Sequence, residues 1–196
     1  SSLKDAGWAN RLADRIPNLQ SRDASLSRWH KAQTWEAIEW ELPDIVKPEW
    51  DEFAERYDAV IDRIRLKGLL DGRTSILEVG SGPTCPSTAL AIPHTYALDP
   101  LMDKFSNVRS SSITGKVTAI GENLPFADNS FSIVFSRNSL DHGVSPSQAI
   151  AECVRVLEGN GLLILGQWVY APVIAIVKQI MERFGIWRNA GHPHTF

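Results

Sequence analysis

Cysteine is scarce in this chain. Only Cys85 and Cys153 occur among 196 residues, far apart and in no metal-ligand spacing. That excludes a disulfide framework and a cysteine-built metal site, and it points to a reducing compartment. A basic excess is lacking as well: 20 Lys and Arg stand against 23 Asp and Glu, for a formal net charge of −3. Such a balance offers no electrostatic footprint for nucleic acid. Long apolar runs are missing too. The longest uncharged stretch, Gly159 to Val177, is divided by Gly166, Gln167 and Pro172 into a strand-sized half and a helix-sized half. No integral membrane span is expected, while the second half leaves a peripheral membrane contact open. Neither a secretory leader nor an initiator Met opens the sequence, which begins Ser1-Ser2, and the expected location is cytoplasmic. Repeats and low-complexity tracts are also missing. Hydrophobic residues at 43% and charged residues at 22% suit one domain with a real core.

What is present is concentrated in Ser75-Ile-Leu-Glu-Val-Gly-Ser-Gly82. A short apolar run reads as a buried parallel strand. Gly80 and Gly82 directly after it let the backbone turn sharply and approach a ligand that a Cβ would obstruct. Twenty-one residues past Glu78, a second apolar piece ends in Asp99. An acid at the end of the second strand is where a nucleoside-binding α/β domain puts its ribose acceptor. The third glycine of the dinucleotide fingerprint is replaced by Cys85, and Glu78 would repel a pyrophosphate. Glu78 can instead accept from an ammonium group or hold the loop amides. A ligand with adenosine at one end and a cation at the other fits, and S-adenosylmethionine is such a ligand.

Residues 1–72 read as a helical N-terminal cap and 73–196 as an α/β domain. The cap holds Trp8, Trp29, Trp35, Trp40 and Trp50, with Trp8, Leu12 and Ile16 on one helical face. A helix after Pro48 carries Phe53, Tyr57, Val60, Ile61 and Ile64 on one stripe, and Gly72 is its expected left-handed stop. Between them, Arg22 to Leu42 mixes tryptophan, His30 and acids without a clean period, as a lid over a ligand or as a plain cover. From Ser75 onward strands and helices alternate. Strands are expected at 75–79, 95–98, 117–120, 131–135 and 162–165, with helices from Pro86, over Pro100 to Val108, from Ser145-Pro146 to a stop at Gly159, and from Pro172 to Phe184. Alternation of this kind means a doubly wound, Rossmann-like parallel sheet with right-handed crossovers.

Ile120-Gly-Glu-Asn-Leu-Pro-Phe126 follows a strand end, where an open sheet places its ligands. Together with Leu77–Gly82, Ala97-Leu-Asp-Pro100, Asn129-Ser-Phe131, Ser136–His142 and Glu152-x-x-Arg-Val-Leu157, it gives an ordered set of motifs over about 74–166. In that set the chain resembles the class I S-adenosylmethionine-dependent methyltransferases, in particular the small-molecule group of ubiquinone/menaquinone type. The resemblance implies strand order 3-2-1-4-5 and a methyl transfer to a small-molecule or lipid-like acceptor. It implies that Glu78, Gly80, Ser81 and Gly82 surround the methionine part of the cofactor. Asp99 would take the ribose hydroxyls, with Pro100 and Leu101 beside the adenine. Ile120, Gly121 and Glu122 would line the adenine, and Ser136, Arg137 and Asn138 would lie under the sulfonium. Two positions depart: Thr84 stands for a third glycine, and Ile120 for an acid, which removes one hydrogen bond of about 1 kcal/mol.

A displacement at a sulfonium needs alignment more than acid–base help. His142 is the candidate base if the acceptor arrives protonated. The family sheet normally ends in an antiparallel hairpin, and the sequence stops at His192-Pro-His-Thr-Phe196, about where that hairpin would begin. The expectation is a sheet lacking it, with 162–165 an open edge for a second copy or a partner subunit. Two other readings stand beside the enzyme. One is a methyltransferase-like binding or structural subunit without activity. The other, a nicotinamide-dependent oxidoreductase, is disfavoured by Glu78 and by the lack of a Tyr-x-x-x-Lys pair.

Overall fold

The computed structural model describes residues 22–40, 58–68, 71–105 and 112–167. Helix α1 spans Arg22–Glu39 and α2 Asp58–Leu66. Then come strands β1 (Ser75–Val79), β2 (His94–Asp99), β3 (Gly115–Thr118) and β4 (Phe131–Arg137), helix α3 (Pro146–Val156) and strand β5 (Leu157–Gly166). The five strands form one sheet in the order β3-β2-β1-β4-β5, every pairing parallel. The doubly wound sheet and its strand order are those expected.

Strand alternation sends neighbouring side chains to opposite faces. Leu77, Val79, Leu98 and Val134 pack on one face with Cys153 and Val156 of α3. Ile76, Ile133 and Phe135 pack on the other with Ile64 of α2 and with Leu90 and Ile92. β1 and β4 are buried along almost their whole length, which is why they read as continuous apolar runs.

Several boundaries differ from the expectation, each for a physical reason. The helix from Pro86 is a five-residue 3-10 turn, Pro86–Leu90. β3 ends at Thr118, so Ala119 and Ile120 lie beyond the strand although both are buried. α2 ends at Leu66, and the left-handed residue is Gly68 (φ +68°), not Gly72. The helix expected from Ser145-Pro146 starts there, with the Ser145 hydroxyl accepting from the Gln148 N–H. That helix stops before Gly159, because the N–H groups of Asn129 and Ser130 take the carbonyls of Arg155 and Val156. β5 therefore starts at Leu157, and its register with β4 is irregular between Phe131 and Ile133. Among the described residues no strand pairs with the far side of β5. The helical stripes around Trp8 and Phe53, the helix at 172–184 and its membrane or partner contact lie outside the described residues.

The Glu152-x-x-Arg motif has a structural explanation. Arg155 donates to the carbonyls of Leu124 and Phe126, to Asp128 Oδ1 and twice to Glu152. Glu152 in turn accepts from the Leu124 N–H at 2.8 Å. One guanidinium thus holds the loop that leaves β3 for β4. Arg155→Met is expected to lower the unfolding free energy by roughly 1–2 kcal/mol, since several part-buried acceptors lose their donor together. Urea unfolding followed by circular dichroism checks this, and a loss below about 0.5 kcal/mol would leave the network without mechanical importance.

Candidate cofactor cleft

The carboxyl ends of β1, β2 and β4 border a cavity of about 310 Å³, and α1 lies across it with Trp29, Gln33, Glu36 and Trp40. Its size is at the lower end of the range for small-molecule sites, and its position is the one an open parallel sheet provides.

The turn after β1 is held by its neighbour strand. The N–H groups of Gly80 and Ser81 both donate to the Leu98 carbonyl, at 2.8 and 3.1 Å. The Gly82 N–H donates to Asp99 Oδ2 at 3.0 Å, and the Leu101 N–H to Asp99 Oδ1 at 2.8 Å. Asp99 is buried, and desolvation pushes its carboxyl up to about 6 against the pull of those two backbone donors. Gly80 and Gly82 have φ of +70° and +53°, which glycine adopts at little cost. Each is also crowded. A Cβ on Gly80 would stand 2.2 Å from Ser139 Cβ, and one on Gly82 would stand 3.3 Å from the Trp40 ring.

Glu78 lines the cavity and also holds the loop behind it. It is fully buried, and its Oε2 accepts from the Ser87 N–H at 2.8 Å and from the Cys85 thiol at 3.3 Å. Burial raises the Cys85 pKa, so the thiol stays protonated as a donor. Cys85 itself takes a left-handed backbone (φ +40°) where the fingerprint has its third glycine. Thr84, the other departure, lines the cavity and is buried.

On the opposite side, Pro100, Leu101, Ile120, Gly121 and Glu122 line the cavity together. Glu122 also carries the next loop: its Oε1 accepts from the N–H groups of Val144 (2.6 Å) and Ser145 (2.9 Å). Burial raises its pKa. From the end of β4 the cavity is lined by Arg137, Asn138, Ser139 and Leu140. Ser136 is not among them. The Ser139 hydroxyl donates to the Val79 carbonyl at 3.1 Å, so the 2.7 Å contact leaves Ser136 as donor to Ser139, one layer behind the wall.

His142 borders the cavity but does not suit the expected role of base. Its Nδ1 lies 2.9 Å from Glu36 Oε1 and its Nε2 lies 3.5 Å from Asp141 Oδ2. Burial on its own would lower its pKa, but the neighbouring carboxylates of Asp141 and Glu36 outweigh it and raise the value to about 10. With its pKa raised so far, it is held at neutral pH as an imidazolium between two carboxylates and has no lone pair free to take a proton. Glu36, whose other oxygen accepts from the Trp40 Nε1–H at 2.6 Å, was not singled out by the sequence; only its i, i+4 spacing to Trp40 hints at the pairing. Ser139, Gln33 and Leu140 were missed as well. Carboxylates outnumber cations around the cleft, with Glu36, Glu78, Asp99 and Glu122 against Arg137 and His142, a balance that favours a cationic ligand.

Fold and cleft together define a class I methyltransferase architecture. Residues 77–165 match the family model of the methyltransferase domain. The chain is 34% identical over 105 residues to uncharacterized methyltransferases from three strains of Mycobacterium tuberculosis. The match takes in 50% of this chain and 41% of theirs, so the chain spans less than half the length of those curated relatives. Among solved structures, a candidate methyltransferase from Bacillus halodurans superposes with a TM-score of 0.55 at 22% identity, covering 69% of this chain and 62% of that one. The YcgJ protein from Bacillus subtilis gives 0.52 at 20% identity over 69% and 61%. These two similarities bear on the fold. No helix among the described residues is long and apolar enough to cross a membrane.

Proposed function

We propose that the chain binds S-adenosylmethionine in this cleft and transfers its methyl group to a small-molecule or lipid-like acceptor, with 1–72 serving as a cap over the site. The observation that carries the reading is the glycine turn tied to Asp99: both carboxylate oxygens are oriented by backbone N–H groups at the cavity wall. In this reading Asp99 accepts from the ribose hydroxyls. Pro100, Leu101, Ile120, Gly121 and Glu122 surround the adenine, and Gly80, Ser81 and Gly82 let the backbone approach the methionine part. Arg137, Asn138 and Ser139 border the sulfonium end. Glu78 acts indirectly, by holding residues 85–87 beneath the turn. When bound, the cofactor supplies a methyl group on a positively charged sulfur. The residues contribute alignment and a wall of carboxylates. Because His142 is already protonated, the acceptor is expected to arrive with its nucleophilic lone pair available.

Calorimetric titration with S-adenosylhomocysteine tests the reading. Asp99→Ala should weaken binding about tenfold or more, the worth of a charge-assisted contact, and should also lower the Tm of the ligand-free protein, because the buried Gly82 and Leu101 N–H groups lose their acceptor. The pH dependence has a definite sign. The Asp99 pKa is raised to about 6, so its charge is lost as pH falls through that value, and affinity should fall with it. Equal affinity in parent and Asp99→Ala would remove the ribose assignment. A second reading, a cofactor-free structural subunit, is favoured by the buried Ile120 at the cleft wall, where an acid would hold the adenine amino group. Absence of any binding in the titration would decide for it.

A further inference from the structure

We propose that Gln167, Asp141, His142 and Glu36 form a polar relay that clamps α1 over the cleft. Within it, Glu36 is the positioning residue that seats Trp40 against Gly82 and so sets how long the bound nucleoside ligand stays. The inference rests on the cofactor reading above and goes beyond it, because two of its members do not touch the cavity.

The relay can be followed atom by atom. Gln167, the residue directly after β5, donates from Nε2 to Asp141 Oδ1 at 3.0 Å. The other Asp141 oxygen lies 3.5 Å from His142 Nε2, a charge contact and not a hydrogen bond, and His142 Nδ1 lies 2.9 Å from Glu36 Oε1. Glu36 Oε2 takes the Trp40 Nε1–H at 2.6 Å. The Trp40 ring then stands over Gly82, close enough that an added Cβ would meet Cζ2 at 3.3 Å. Asp141 and Gln167 line no part of the cavity, whereas Glu36, Trp40 and Gly82 all do. Four side chains therefore join the end of the sheet to the helix above the cleft.

The chemistry suits a clamp. Asp141, His142 and Glu36 are mostly withdrawn from water, their side chains 1%, 10% and 17% exposed. Removing one member of a buried charged set leaves its partners uncompensated, which costs more than the lost contact alone. Both Glu36 oxygens are engaged, one by the sheet side through His142 and one by Trp40. Loss of this carboxylate would release the helix and the indole together. Indole is also the aromatic face that best attracts a cation, and this ring stands beside the glycine turn at the mouth of an acid-rich cleft.

The test is ligand release measured by stopped-flow displacement of S-adenosylhomocysteine. Glu36→Ala should raise the dissociation rate about tenfold and change the association rate little, and Gln167→Ala should raise it about threefold although it lines no part of the site. The double variant should be no faster than Glu36→Ala alone, since members of one relay are not additive. Glu36→Gln, which keeps an acceptor for the Trp40 N–H, should recover part of the loss and guards against a folding defect in the alanine variant. An unchanged release rate in Glu36→Ala, or full additivity with Gln167→Ala, would overturn the proposal. A parent protein that binds no S-adenosylhomocysteine would overturn the cofactor reading instead. The clamp is then read without ligand, from acrylamide quenching of Trp40 taken as the difference between parent and Trp40→Phe. Glu36→Ala should increase that quenching, and no increase would sink the clamp.

Discussion

Gly80→Ala is expected to abolish S-adenosylhomocysteine binding and to lower stability by roughly 3 kcal/mol or more, its added Cβ meeting the tightest overlap among the described glycines. The new Cβ would stand 2.2 Å from Ser139 Cβ and 2.6 Å from its Oγ. Ser139 cannot step aside cheaply, because its hydroxyl is tied to the Val79 carbonyl and to Ser136. The backbone at φ +70° adds strain of about 1 kcal/mol for any residue with a side chain. Two causes can be separated by a second substitution. Gly80→Ala combined with Ser139→Gly removes the overlap and should recover most of the stability, leaving only the backbone strain. Gly82→Val makes a useful contrast. Its side chain meets the Trp40 ring, the end of a side chain on the covering helix, so binding should be lost with a smaller effect on the fold. Thermal unfolding and titration of the three variants decide. Normal binding by a folded Gly80→Ala would mean that the turn is only a turn.

The second large effect is expected at Glu122. Glu122→Ala removes the one acceptor shared by the Val144 and Ser145 N–H groups, and Ser145 is the residue that caps α3. Leaving both donors unsatisfied should cost about 3 kcal/mol and loosen the cavity wall at Gly143. Glu122→Gln keeps an oxygen in the same place and should cost about 1 kcal/mol. The pH dependence follows from burial, which raises the Glu122 pKa above its unfolded value. A raised carboxyl binds its proton more tightly in the folded state, so this contribution to stability is greatest at low pH and is lost as pH rises through the folded value. Parent stability should therefore improve relative to Glu122→Gln as the pH is lowered. Paired urea titrations at several pH values measure the difference directly. A difference that is flat with pH would mean that Glu122 is better solvated than its surroundings imply.

What the sequence disclosed and what it hid divide along a physical line. β1, the glycine turn and Asp99 were legible because each is encoded within a few consecutive residues: an apolar run, two glycines, an acid at a strand end. The start of α3 was legible for the same reason, from Ser145-Pro146. Features that depend on partners distant in the chain were not. The stop of α3 is set by amides at Asn129 and Ser130, so Gly159 misled. The state of His142 is set by Glu36 on another helix, so a histidine with the look of a base is an imidazolium. Ser136 and Ser139 are alike in sequence, and only the packing against Gly80 tells which one faces the cleft. Glu78 offered two roles that spacing alone does not separate, and the amide of Ser87 shows the loop-holding one.

Arg155 lies far from any reacting atom, yet its contacts give the cleft two walls of unequal stiffness. The side lined by Ile120, Gly121 and Glu122 is cast in place, its loop nailed to α3 by a guanidinium that grips carbonyls at Leu124 and Phe126. The opposite side is a helix resting on side chains. A cleft with one fixed jaw and one hinged jaw has a natural order of events. The flat, hydrogen-bonding end of a ligand finds a finished mould, and its flexible end waits for the hinge. Traffic in and out should accordingly be timed by the helix, and selectivity for the nucleoside by the mould. Variants that alter residence and variants that alter recognition should therefore fall on opposite sides of the same cavity.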